Sequence, residues 1–271
     1  MNVVVDNFDQ ILEFAKQYAL PTSKKRAVVR EYLQVKILDM IYQEKTSLHL
    51  HFVGGTSLRL LRGLDRFSED LDFDLAEISP REVNNIVIAI HKRLKKENIT
   101  VDLYQNMTAR RAYFELRFKD LLYELGISQD REEKLTIKFD FEKLWQKEKK
   151  DNVLLNRYGF LTNVVTIPLG QILVQKFAAY MHRKQTMPRD IYDIIWLTAQ
   201  GTKIDHEFAK ANGVKKDLVK QAQGKFLTEV KKVRGFQEKL RPFLINENYI
   251  EKIGLFPQVL NTIGTNQSTS N

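Results

Sequence analysis

Apolar residues in the first part of the chain follow a helical period. Across residues 7–20 they fall at Ile11, Leu12, Phe14, Ala15, Tyr18 and Ala19, and Pro21 ends the pattern. Thr22 or Ser23 is then placed to cap a second helix to about Gln43, whose stripe includes Val28, Val29, Tyr32, Leu33, Ile37, Leu38 and Ile41. The period next falls to two. Residues 49–53 read as a strand stopped by Gly54-Gly55, residues 56–64 as a short helix ending near Gly63, and residues 70–75 as a strictly alternating strand. Ser79-Pro80-Arg81-Glu82 is a capping box with proline at the first helical position, so a helix is expected to about Glu97. Further strands are predicted at about residues 100–105, 112–118 and 135–141, with another within 164–167. Beyond Pro168 the spacing is helical at 170–182 and 189–199, and lysine-rich broken helices fill the chain to about Leu260.

Helices, then a mixed sheet, then helices make an α+β fold with a C-terminal helical bundle. The expected division is a sheet domain with N-terminal helices over residues 1–166, a helical domain over 167–261 and an unstructured polar tail over 262–271. The series is not a regular βαβ alternation, and neither a G-x-G-x-x-G nor a G-x-x-x-x-G-K-[ST] run is present. Rossmann and P-loop readings therefore lose their main support.

Composition narrows the chemistry. With 271 residues and 43% hydrophobic content there is ample material for a core. The absence of cysteine excludes disulfides, zinc–cysteine sites, iron–sulfur clusters and cysteine nucleophiles. A net charge of +9 favours a polyanionic partner such as RNA or a nucleoside triphosphate. The excess is concentrated: residues 201–241 hold 11 Lys and Arg against 5 Asp and Glu. A solvated helical face and contact with an RNA backbone both account for that stretch. No apolar run approaches a membrane span and the first ten residues carry no basic stretch, so a cytoplasmic protein is expected.

The candidate chemistry lies in Phe52-Val-Gly-Gly-Thr-Ser-Leu followed by Arg66-Phe-Ser-Glu-Asp-Leu-Asp-Phe-Asp-Leu75. On a strand, Asp70, Asp72 and Asp74 share one face, and Leu71, Phe73 and Leu75 the other. Carboxylates about 6–7 Å apart repel by roughly 2–3 kcal/mol at an effective dielectric of 20, so this face calls for a cation unless it is a solvated sheet edge. Oxygen-only ligands select Mg²⁺ or Mn²⁺. Gly54-Gly55 allows close approach of the backbone to a ligand, and Thr56 at a helix start can present N–H groups and a hydroxyl to a phosphate. On the later strand Thr136, Lys138 and Asp140 share a face. Asp140 is a candidate third metal carboxylate. Lys138 suits contact with a phosphate or restraint of the carboxylates, and a surface Lys/Asp pair is the plainer account. Lys176, Tyr180 and Arg183 share a helix face, Asp190 and Asp193 lie one turn apart, and either acid can pair with Lys176 or Arg183. Arg66 suits phosphate binding or pairing with the acidic strand.

Gly55-Thr56, 13 further residues and Asp70-Leu-Asp72-Phe resemble the signature of the DNA-polymerase-β-like nucleotidyltransferase superfamily. The wording of both segments is more closely similar to the AbiEii/AbiGii (MenT-type) toxin nucleotidyltransferases. Lys138-x-Asp140, Gln175-Lys176 with Ala179 and Arg183, and Arg189-Asp190-Ile-Tyr-Asp193 resemble later motifs of that family. The resemblance implies a mixed nucleotidyltransferase sheet and transfer of a nucleoside monophosphate from a triphosphate to an acceptor hydroxyl, with release of pyrophosphate. It implies Mg²⁺ or Mn²⁺ on Asp70, Asp72 and Asp140, with Lys176 as a fourth member of the catalytic set. It implies nucleotide contacts from Gly54, Gly55, Thr56, Ser57, Arg66, Lys138, Arg183 and Asp190. A shifted pair, Asp72 with Asp74, stays open, as does Asp193 in place of Asp190. The implied setting is a toxin–antitoxin system with RNA as acceptor, the tRNA 3′ end favoured, and a separate antitoxin protein. A small-molecule or protein acceptor is the alternative within the same chemistry, and a silent nucleotide- or RNA-binding module the alternative outside it.

Overall fold

The computed structural model describes residues 2–109, 111–215 and 217–268. The chain forms two compact units. The first comprises Met1–Gly63, Phe67–Leu144 and Asp151–Thr166; the second comprises Leu64–Arg66, Trp145–Lys150 and Ile167–Asn271. The last change of unit falls between Thr166 and Ile167, and two short earlier segments also belong to the second unit. The chain visits the second unit twice, briefly, before entering it for good.

The first unit is built on a five-stranded mixed sheet. Its strands are β1 (Leu50–Val53), β2 (Leu71–Leu75), β3 (Val101–Met107), β4 (Arg111–Phe118) and β5 (Leu135–Glu142), in the spatial order β1-β2-β5-β4-β3. Only the β2–β5 pair is parallel; the others are antiparallel. One face is a packed aromatic layer in which Phe52, Phe73, Phe114, Phe139 and Phe141 are all buried, with Phe73 stacked on Phe141 at 4.8 Å between ring centroids. The helix Pro80–Lys96 packs on β3 and β4, and the helix Lys25–Tyr42 on β5. The expected capping box is formed: Ser79 N–H donates to Glu82 Oε2 at 2.9 Å, and Glu82 N–H to Ser79 Oγ at 3.3 Å.

Several local expectations differ. The helix expected over residues 7–20 forms as Phe8–Gln17, and a short helix that the pattern does not predict, Val3–Asp6, precedes it, capped by the Asn2 side chain. Neither Thr22 nor Ser23 caps the next helix, which starts at Lys25 behind Lys24 with no side-chain cap. A further strand, β6 (Asp151–Arg157), pairs with β7 (Phe160–Thr166) in a separate two-stranded ribbon. Tyr158 and Gly159 turn between them with φ of 52° and 80°, the left-handed geometry a two-residue hairpin requires.

The second unit is helical. Leu169–His182 and Pro188–Ala199 are its best-buried helices, followed by Leu218–Glu229, Val233–Leu240 and Phe256–Ser268. The tail expected to be unstructured from residue 262 is helical to Ser268, and Ile263 is buried; residues 269–271 lie outside the described residues. No described helix is long and apolar enough to cross a membrane.

Candidate active site

The glycine turn is built by its neighbours. β1 leads directly into the helix Gly54–Arg62, and Gly54 takes φ +75°, where a side chain is rarely tolerated. A β-carbon there would stand 2.2 Å from Asp72 Oδ2 and 2.9 Å from its Cγ. The absence of a side chain at Gly54 therefore lets the helix start press its backbone onto the Asp72 carboxylate. The helix is held from behind by Glu31, which is buried and accepts from Arg59 Nε at 2.8 Å, Arg157 Nη1 at 3.0 Å and Tyr158 Oη at 3.3 Å. Gly55 and Ser57 are buried within its first turns.

Thr56 differs from expectation. Its hydroxyl is fully buried and donates to the carbonyl of Asp70, so it fastens the start of the acidic segment instead of facing a phosphate. Asp70 itself lies one residue before β2, not within it.

Asp72 and Asp140 stand opposite each other in the parallel β2–β5 register, and Asp74 stands opposite Glu142 one step on. This puts two rows of carboxylates on one face of neighbouring strands. Glu142, the last residue of β5, continues the alternation of Asp140 and adds a carboxylate to the candidate set. Its carboxyl is held above the usual range by burial and by the charge of Asp140. Asp74 is buried, whereas Asp70, Asp72 and Asp140 are half-buried. Asp70 and Asp140 both act on the phenol of Tyr113, which burial and its hydrogen bond to Glu115 first push upward. Lys138 is exposed, stands opposite Glu115 on β4, and helps to hold that carboxyl below its usual range after the stronger effect of Tyr113.

Asp140 has a partner that the sequence did not disclose. Arg111, at the start of β4, donates Nε to Asp140 Oδ1 at 2.9 Å and Nη2 to Oδ2, and its Nε lies 3.0 Å from Glu142 Oε1. Only the strand register brings these residues together. As they stand, no three His, Asp or Glu among the described residues are grouped to hold one metal ion. The Asp72/Asp140 pair nonetheless suits a hard divalent cation: both donors are carboxylate oxygens in register on neighbouring strands, and Asp72 lies against the Gly54 backbone.

The second unit gathers the other candidates among themselves. Asp193 is fully buried and accepts both Arg66 Nε and Nη2 at 2.7 Å, with Lys176 Nζ at 2.8 Å. Asp190, also buried, lies 3.4 Å from both Lys176 Nζ and Arg183 Nη1. Arg66 is thus a buried partner of Asp193, not an open phosphate donor. Burial raises the cost of each charge here, but the opposite charges prevail: the Asp193 carboxyl is held below, and Arg66 and Lys176 above, their ordinary values. Asp193, expected to be secondary to Asp190, is the more heavily bonded of the two. Tyr192 Oη donates to Asp65 at 2.8 Å, and Lys252 Nζ reaches the same carboxylate at 2.7 Å, holding the residue beside Arg66.

A five-stranded mixed sheet whose glycine turn feeds a helix onto register-paired aspartates is the framework of a nucleotidyltransferase. Two solved structures share the fold. JHP933 from Helicobacter pylori superposes with a TM-score of 0.55 at 20% identity, covering 90% of this chain and 95% of that one. MenT4, a nucleotidyltransferase toxin from Mycobacterium tuberculosis H37Rv, gives 0.54 at 17% identity, covering 93% and 89%. No curated protein sequence matches. The family described as nucleotidyl transferase AbiEii toxin, type IV toxin–antitoxin system, matches residues 36–251. The chain belongs to that family and is an enzyme of the nucleotidyltransferase class.

Proposed function

We propose that this toxin is a metal-dependent enzyme that moves a nucleoside monophosphate from a nucleoside triphosphate to a hydroxyl of RNA, the 3′ end of tRNA being the favoured acceptor. It acts in the cytoplasm, and its antitoxin is a separate protein. The observation that carries the reading is the register pairing of Asp72 with Asp140, with Asp72 packed against Gly54. Asp70, Asp72 and Asp140 would hold Mg²⁺ or Mn²⁺, which when bound supplies charge stabilisation at the transferring phosphate. The first N–H groups of the helix Gly54–Arg62 bind phosphate oxygens at the positive end of the helix dipole. Asp140 takes up the proton of the attacking hydroxyl. Lys138, exposed on the same sheet face, attracts the triphosphate. Lys176 and Arg183 act on the nucleotide, and Asp190 and Asp193 fix their positions.

RNA is favoured as acceptor by the net charge of +9 and by the cationic excess of residues 201–241. The test is incubation with each α-labelled triphosphate and Mg²⁺ in the presence of RNA, protein or small-molecule pools. Label in RNA, lost in Asp72→Ala, is the expected result. Label in another pool overturns the acceptor, and label in none overturns the transfer.

A further inference from the structure

Arg111 stands where the proposed site needs an open ligand. Its guanidinium takes both oxygens of Asp140, and its Nε lies 3.0 Å from Glu142. A carboxylate so engaged offers an incoming ion little, because charge-assisted bidentate pairs are among the stronger polar contacts of a folded chain. Three features suit this residue to leaving. Its backbone is fixed independently, since Thr108 N–H donates to the Arg111 carbonyl at 2.8 Å and Arg111 N–H to Thr108 Oγ1 at 3.1 Å. Its side chain is 49% exposed, so swinging outward gives up little packing beyond the Tyr113 ring, 5.8 Å from the guanidinium carbon. The carboxylates it would leave, in the rows Asp72/Asp140 and Asp74/Glu142, are crowded enough to need a replacement cation.

We propose that Arg111 is the resident counter-ion of the site, closing Asp140 in the resting enzyme and vacating it when a divalent cation enters. The proposal rests on the metal reading above and deepens it. The exchange is one of charge: a guanidinium leaves the carboxylate row and a dication replaces it. Arg111 is then turned toward solvent and the negative charge of a nucleotide's phosphates. It is a positioning residue, setting how readily Asp140 becomes a ligand.

The test is direct titration of the full-length protein with Mn²⁺, without nucleotide, read by the loss of the free-ion electron paramagnetic resonance signal. Removal of a competing charged contact in Arg111→Ala is expected to tighten Mn²⁺ binding about tenfold or more, with Arg111→Lys in between. A merely structural role for Arg111 would weaken binding when removed. Unchanged or weaker Mn²⁺ affinity in Arg111→Ala, with binding still lost in Asp72→Asn, overturns this inference alone. Mn²⁺ affinity that does not respond to Asp72→Asn overturns the metal assignment and this inference with it. Circular dichroism of each variant separates a local change from unfolding.

Discussion

Replacing Gly54 by alanine tests the link between the glycine turn and the acidic strand, because two costs can be separated. The first is conformational. Gly54 sits at φ +75°, and an L-residue there costs about 1–2 kcal/mol. The second is steric. The new methyl would stand 2.2 Å from Asp72 Oδ2, against an ordinary contact of 3.4 Å or more, so the carboxylate must retreat by roughly 1 Å. Gly63, which ends the same helix at φ +81°, meets the first cost alone, since nothing lies within 4 Å of its β-carbon position. Gly63→Ala should therefore lose about 1–2 kcal/mol in urea unfolding and Gly54→Ala more than that, each kcal/mol lowering Tm by about 2–4 °C. Only Gly54→Ala should also lose transfer, by about 10²-fold, the scale of a 1 Å misplacement in a reacting constellation. The assay is incorporation of α-labelled nucleotide, with Mn²⁺ affinity as a second readout. Full transfer in Gly54→Ala, or equal losses in the two variants, would refute the idea that glycine is there to admit Asp72.

Asp72→Ala should abolish transfer while leaving the unfolding midpoint within a few degrees of the parent, as its half-buried side chain predicts; retained activity would remove it from the metal site. Asp193→Ala leaves Arg66 and Lys176 buried without this partner and should destabilise by about 3–5 kcal/mol in denaturant titration. Because the Asp193 carboxyl is held below its ordinary 3.8, its contribution is complete above that value and is lost as the pH falls through the lower, folded one. Acid unfolding of the parent should therefore be steeper below about pH 4 than that of Asp193→Asn, and parallel curves would count against the linkage. Neutralising the exposed Lys220, Lys231 and Lys232 should weaken RNA binding and flatten its salt dependence by about 0.7–0.9 per lost phosphate contact, whereas an unchanged slope removes that surface from the interface.

Strict alternation made β2 and β5 legible in the chain, and with them Asp72 and Asp140 on one face. A strand of this kind needs only its own residues to declare its two sides. β6 was not legible, because Asp151, Asn152 and Asn156 carry the composition of a loop, and it becomes a strand only by pairing with β7. Arg111 and Asp140 meet through cross-strand register, which alternation within a single strand leaves undetermined. The role of the Thr56 hydroxyl is hidden in the sequence for a related reason. A residue at a helix start can face a ligand or its own chain, and here the Asp70 carbonyl claims it. Arg66 lies near the acidic strand in sequence, yet its partner is 127 residues away, a choice settled by tertiary packing alone.

The short excursion of Leu64–Arg66 into the helical unit has a practical consequence for dissecting the protein. Truncation after Thr166 should not yield a self-sufficient catalytic fragment. It strips Arg66 of Asp193 and Asp65 of Tyr192 and Lys252, stranding a guanidinium that had been wholly enclosed. Expression of the amino-terminal portion alone should therefore yield insoluble material, whereas co-expressing the two pieces gives that arginine a route back to its mate.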